Sequence, residues 1–361
     1  MSSARLAAHA GINQLQLRND KGTESMKTGN LACMALALLP ACTSKTGTAT
    51  QNADTASHGA PTVPPANISH GEAPVGTAVD SAPVDPIAPP HSASHLTRVR
   101  FEIHDTLIQV SKDVQYRAWT FQGRVPGPVI RVTQGDTVDF TLLNRAAMPH
   151  SMDFHAAQIA PNKYYVNVMP KDSLQYRFVA EVSGVFMYHC GTAPVAAHIA
   201  NGMYGALIVD PRTPRPPAKE LVLVQSEFYM APDSTAAPKT LSWDRLLSLA
   251  PDYVTFNGRA AQYAEHPIRV NVGQLLRLYV VNAGPNRLSS FHVVGGIFER
   301  VFVDGSQTSP LSGVQTVGVP VGGGSIFEIR LKEPGEYPFV THAFADATKG
   351  AVGIFVAGRG P

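Results

Sequence analysis

Cys190, His198 and Met203 share one short stretch, separated by seven and then four residues. A thiolate, an imidazole and a thioether are soft donors, and copper favours such a set. Two imidazoles and a thiolate in a trigonal plane, with a weak axial thioether, form the blue type of copper site that passes single electrons. The stretch holds one imidazole of the two, so the other must come from elsewhere. A lone buried cysteine is ordinarily a small hydrophobe. The case for metal rests on the three donors at this spacing.

His189 directly precedes Cys190, and Val185-Phe186-Met187-Tyr188 ahead of them is apolar, aromatic and β-prone. Successive side chains on a strand point to opposite faces. His189 and Cys190 therefore cannot easily serve one metal, and the pattern predicts a second metal at His189. Met148-Pro-His150-Ser-Met-Asp153-Phe-His155 carries two histidines five apart. That odd offset again places them on opposite faces of an extended segment. One can complete the blue site and the other can join His189; spacing does not decide which. A catalytic copper keeps three imidazoles and an open position, by the logic of open zinc sites. His104, His266, His292 and His342 are the candidates for the third. Asp153, close to a candidate ligand, is placed to support it or to supply protons.

The elements that must hold these residues read as short strands. Val138, Phe140 and Leu142 alternate with Thr137, Asp139 and Thr141, the period of a half-buried strand. Leu276, Leu278 and Val280 alternate in the same manner. Arg124-Val-Pro-Gly-Pro and Gln134-Gly-Asp136 punctuate as turns. Short strands between such turns predict antiparallel sandwiches. Ser242 is positioned to cap one short helix.

The two halves read as a repeat. Ile130-Arg-Val-Thr-Gln-Gly-Asp answers to Ile268-Arg-Val-Asn-Val-Gly-Gln, and Ser183-Gly-Val-Phe-Met-Tyr-His189 answers to Pro334-Gly-Glu-Tyr-Pro-Phe-Val-Thr-His342. The second half lacks the cysteine and the methionine but keeps a histidine, His342, at the place matching His189. The repeat therefore favours His342 as the third ligand, brought to His189 across an interface between domains or between identical chains.

The chain has 361 residues, enough for two domains with their own cores. Its net charge of +2 argues against nucleic acid as a partner. Of three cysteines, Cys33 and Cys42 fall in a secretory signal, so Cys190 has no disulfide partner in the folded part. Residues 1–25 read as an upstream extension and 26–42 as a signal with a lipobox-like Leu39-Pro-Ala-Cys42, whose cysteine becomes lipidated. Residues 43–96, rich in Ala and Pro, read as a disordered tether. Residues 97–212 and 218–358 read as the two folded domains, joined by a Pro- and Arg-rich linker.

Together these motifs resemble the copper-containing nitrite reductases over residues 99–358. The motifs are Pro-His-Ser-Met-Asp-Phe-His, Tyr-His-Cys, Ala-His-Ile-Ala-Asn-Gly-Met, Ser-Ser-Phe-His-Val-Val-Gly and Thr-His-Ala-Phe. The seven-residue gap after Cys190 is similar to that of the membrane-anchored branch. The resemblance implies an all-β chain of two tandem cupredoxin-like Greek-key β-sandwich domains. It implies type 1 copper on His150, Cys190, His198 and Met203. It implies type 2 copper on His155, His189 and a neighbouring subunit's His342, in a homotrimer. Asp153 and His292 match the family's proton-handling pair. The implied partners are nitrite, a small redox protein as electron donor (cytochrome c or cupredoxin) and a membrane reached through the lipid on Cys42, at the outer membrane or in the periplasm of a bacterial cell envelope. Ser151 departs from the family's usual asparagine, and Val294 from its usual isoleucine.

Two other functions compete. A lipoprotein carrying only type 1 copper would transfer electrons or hold copper without turning nitrite over. A two-domain multicopper oxidase needs His-x-His pairs; the chain has none, and Gly191 follows Cys190.

Overall fold

A computed structural model describes residues 82–231 and 238–358. The expected upstream extension, the signal and Cys42 lie outside the described residues.

The first domain contains β1 (Leu96–Ser111), β2 (Val114–Phe121), β3 (Ile130–Thr133), β4 (Thr137–Asn144), β5 (Asp153–Phe154), β6 (Ser173–Val179), β7 (Gly184–His189) and β8 (Tyr204–Asp210). They form two sheets, ordered β2-β1-β4-β6 and β3-β8-β7-β5. Val138, Phe140 and Leu142 of β4 are fully buried in the core between them, as their alternation predicts. Phe101, Phe154 and Phe178 fill the same core.

The second domain contains β9 (Lys219–Phe228), β10 (Tyr253–Phe256), β11 (His266–Asn271), β12 (Leu275–Gly284), β13 (Ser289–Val293), β14 (Arg300–Val303), β15 (Thr316–Val319), β16 (Gly324–Arg330), β17 (Gly335–Thr341) and β18 (Val352–Gly358). Its sheets run β10-β9-β12-β16-β14 and β11-β18-β17-β13-β15. The internal repeat is visible in the pairing. β3 lies parallel to β8 with Ile130 opposite Leu207, and β11 lies parallel to β18 with Ile268 opposite Phe355. This is an all-β fold of two tandem cupredoxin-like sandwiches. A short helix, Trp243–Leu247, begins where expected, with the Ser242 hydroxyl accepting from the Arg245 N–H at 3.3 Å.

Three expectations change. The sheets are mixed where antiparallel ones were expected: β1 lies parallel to β4 and β9 to β12, as β3 does to β8 and β11 to β18, because turn signals mark where strands end and not which strands pair. The alternation in β12 suggested one buried face, yet the strand is buried on both. Leu276, Leu278 and Val280 enter their own core, while Tyr279, Val281 and Ala283 enter a third cluster with Met187, Tyr204, Ala206 and Ile208 of the first domain. The two sandwiches thus share an apolar interface. Residues 82–96 were expected in the solvated tether, but they lie against the folded body. The Ala88 N–H donates to Glu220 O at 3.0 Å and the Val222 N–H donates to Pro86 O at 2.7 Å. Prolines preset an extended backbone, and the segment pairs with the start of β9, which β10 leaves open because it covers only Gln225–Phe228. Composition does not reveal an unpaired stretch of strand elsewhere in the chain.

Candidate metal centres

Cys190 follows the end of β7 and opens a loop that closes on itself. Its N–H donates to Met203 O at 3.1 Å, and the Met203 N–H donates to His198 O at 3.1 Å. A short helix, Val195–Ala200, carries His198. From the neighbouring strand segment comes His150, which exchanges backbone hydrogen bonds with Val168. Three donor atoms converge. His198 Nδ1 and His150 Nδ1 lie 3.2 and 3.9 Å from Cys190 Sγ, and 3.1 Å from each other. Met203 is buried in the same apolar cluster as Cys190.

Burial sets the chemistry of this group. It pulls His150 down to about 3, helped by the neighbouring His198, and pulls His198 down to about 4. Both imidazoles are then neutral near pH 7 and offer lone pairs. Burial pushes the Cys190 thiol up, so it keeps its proton until a cation displaces it. Both Nε2 atoms are buried without a hydrogen-bond partner among the described residues. Trp119 lies across both imidazoles, with ring centroids 4.9 Å from His198 and 5.8 Å from His150. A buried N2S triangle beside a thioether suits a soft, redox-active metal.

Ser151 braces the sulfur. Its N–H donates to Cys190 Sγ at 3.3 Å, and its hydroxyl accepts from the Gly191 N–H at 3.0 Å. The Thr192 hydroxyl lies 3.2 Å from Ser151 Oγ and 2.9 Å from Asn167 Oδ1. The Thr192 hydroxyl thus bridges the Ser151 hydroxyl and the Asn167 amide oxygen, both of which accept from it. The Ser151 hydroxyl also reaches the sulfur itself, 4.0 Å from Cys190 Sγ.

His189 takes part in a different group, with His155 and Asp153. β5 pairs with β7, setting Asp153 opposite His189 and Phe154 opposite Tyr188. Phe154 enters the core, so its neighbours face the other way. The His189 Nδ1–H donates to Cys190 O at 2.9 Å, and the His155 Nδ1–H donates to Gly322 O at 3.0 Å. With both protons on Nδ1, the two Nε2 lone pairs face each other at 3.1 Å. Lone pairs so placed repel unless a cation lies between them, and this donor set fits a metal. Asp153 Oδ2 is 3.8 Å from His189 Nε2. Burial lowers His189, with His155 adding to the effect.

The remaining candidates lie elsewhere. His292 on β13 and His342 after β17 face each other at 5.4 Å between ring centroids. The His292 Nδ1–H donates to Gln315 O at 2.8 Å, and His342 packs on Phe344 at 4.7 Å. Within one chain neither joins the group of Asp153, His155 and His189. His104 stands 3.5 Å from Glu102, and His266 is exposed at the start of β11. Sequence reasoning missed Trp119, Thr192, Asn167 and Gly322. The Val321-Gly-Gly-Gly324 run marks a turn, but nothing in the sequence joins it to His155.

A multicopper oxidase family model matches residues 102–214. The chain is 38% identical over 291 residues to the copper-containing nitrite reductase of Neisseria gonorrhoeae, covering 78% of this chain and 74% of that protein. The copper nitrite reductase of Nitrosomonas europaea superposes with a TM-score of 0.68 at 36% identity, over 73% of this chain and 94% of that one. A multicopper oxidase superposes with a TM-score of 0.65 at 26% identity, over 73% and 89%.

Proposed function

The chain belongs to the copper-containing nitrite reductases, and we propose that it converts nitrite to nitric oxide at two linked copper centres. The carrying observation is that His189 and Cys190, joined by one peptide bond, enter two different donor groups. The reaction is NO2⁻ + e⁻ + 2H⁺ → NO + H2O, so it needs one electron and two protons.

His150, Cys190, His198 and Met203 would hold type 1 copper, and His155 and His189 would hold type 2 copper. When bound, copper supplies one-electron redox chemistry at the first centre and an open Lewis-acid position at the second. The Cys190–His189 peptide is a covalent path between the centres. Asp153, beside His189, is placed to pass a proton to the departing oxygen. His292 has committed Nδ1–H to Gln315 O, which leaves Nε2 to carry the second.

Among the described residues, the second centre has two imidazoles from one chain. We assign the third to His342 of a neighbouring copy in a homotrimer. Its support is position: His342 is exposed, beside the exposed apolar Phe344, with Val294 and Ile297 also exposed. An exposed imidazole packed against an exposed aromatic ring suits a protein interface. A small redox protein, a cytochrome c or a cupredoxin, would deliver the electron. Lipidated Cys42 would hold the chain at the bacterial cell envelope, in the outer membrane or facing the periplasm.

Nitric oxide release from nitrite by purified protein with a dye donor tests the activity. His155→Ala is expected to abolish turnover and leave the blue absorption, while His150→Ala removes the blue absorption. A carrier of type 1 copper alone would show one copper per chain and no axial type 2 EPR signal. Loss of the blue band in His155→Ala would overturn the division of ligands.

A further inference from the structure

We propose that Gly322 and Asn282, both in the second domain, are positioning residues for His155, the exposed ligand contributed by the first domain. The inference rests on the reading of His155 as a ligand of the second copper.

The two imidazoles of that centre are held differently. His189 is pinned inside its own domain by the adjacent Cys190 carbonyl. His155 is exposed, and the hydrogen bond that directs its ring outward from Nδ1 goes to Gly322 O, 167 residues away. That single acceptor sets the tautomer, because a proton held at Nδ1 leaves the Nε2 lone pair for metal. It also sets the ring's rotation.

Gly322 sits in a tight turn. The Gly323 N–H donates to Pro320 O at 2.9 Å, and Gly322 has φ +79°. A Cβ at this position would strain the backbone and would approach His155 Cε1 to 3.3 Å. Glycine is therefore favoured by the left-handed backbone, and an added Cβ would press on the imidazole and shift it by a few tenths of an ångström.

Asn282 holds the turn from below. It is fully buried near the end of β12. Its N–H donates to Gly323 O at 3.0 Å, and its carbonyl accepts from the Gly322 N–H at 2.8 Å. Its side-chain amide donates to Val319 O at 3.0 Å and Arg287 O at 2.8 Å, while Oδ1 accepts from the Gly284 N–H at 3.1 Å. A buried amide so engaged fixes the path of the backbone on both sides of the turn. Asn282, the turn, Gly322 O and His155 thus form one mechanical chain. Among the described residues, the same chain's second domain contributes no side chain to the group of His155 and His189, yet its docking presents one of those ligands. All four donors of the blue centre come from the first domain, and no hydrogen bond to Gly322 reaches any of them among the described residues.

The test titrates Cu²⁺ into protein stripped of the second copper but retaining the blue one. It compares Gly322→Ala, Asn282→Ala, His155→Ala and a glycine control, Gly318→Ala, whose added Cβ would make only ordinary contact with Leu288. Loss of an orienting partner typically weakens metal binding about 10–100-fold. Gly322→Ala and Asn282→Ala are expected to lose that much affinity, read from the type 2 EPR signal, with the blue absorption unchanged and Gly318→Ala unaffected. Wild-type affinity in Gly322→Ala overturns the positioning role while leaving the ligand reading intact. Retained second copper in His155→Ala overturns the ligand reading instead. Loss of the blue band in Gly322→Ala would overturn the claim that the turn acts on one centre alone. Should Asn282→Ala fail to fold, Gly322→Ala decides.

Discussion

Asp153 faces His189 across the β5–β7 pair but is too far, at 3.8 Å from Nε2, to form a hydrogen bond with it. The carboxylate is half-buried and free to point toward a substrate oxygen. Removing its acid–base capacity while keeping its shape isolates that role. Asp153→Asn is expected to keep both coppers and to lower nitrite turnover by about 10²–10⁴-fold. Metal content and nitric oxide formation, measured on the same sample, check this; unchanged turnover would move proton delivery to another group. At the blue centre, the Ser151 hydroxyl braces the ligand loop by accepting from the Gly191 N–H and the Thr192 hydroxyl. The sulfur is met by the Ser151 N–H and by the Ser151 hydroxyl at 4.0 Å, and hydrogen bonds from Ser151 and Thr192 oppose the upward push of burial on the thiol.

Among the elements, β7 carries most of the burden, because its last residue and the residue after it enter different centres. Its position is set by Tyr188. The Tyr188 ring lies among Phe101, Phe121 and Phe154, and its hydroxyl donates to Pro128 O at 2.7 Å. Gly205 of β8 lies directly opposite, and a Cβ there would come within 2.3 Å of the tyrosine ring. The glycine is a slot for the ring, and overfilling it must displace Tyr188 and the residues after it. Gly205→Ala is expected to destabilise the protein by about 1–3 kcal/mol. A lower thermal midpoint with a perturbed blue absorption checks it, and an unshifted midpoint would show that the ring moves freely.

Across the whole molecule, the two sandwiches are joined by apolar burial and by a buried ionic network. Arg131 of β3 bonds Asp210 at 2.7 Å and Glu220 of β9 at 2.8 Å, and Arg277 of β12 bonds Glu220 and Glu328, each at 2.8 Å. Burial alone would raise Glu220, but Arg131 and Arg277 overcome it and hold the carboxyl down to about 2. A carboxyl lowered on folding stabilises the native state above its unfolded pKa of about 4.3. That contribution fades as pH falls towards 2, since the unfolded chain takes up the proton first. Urea midpoints at pH 6 and pH 3 should therefore converge in Glu220→Gln, which starts lower at pH 6 but loses less on acidification. An equal loss in both proteins would assign acid sensitivity to other groups.

The donor chemistry was legible in the sequence, because ligand type and spacing are local. So was the opposition of His189 and Cys190, which follows from the two-residue period of a strand. The paired halves and the Ser242 cap were legible for the same reason. Which of His150 and His155 joins which centre was not open to spacing; the pairing of β5 with β7 decides it. The burial of both faces of β12, the packing of residues 82–96 and the grip of Gly322 on His155 come from contacts between residues remote in sequence. Periodicity registers a residue's neighbours along the chain, whereas those contacts exist only once two sandwiches have formed and docked.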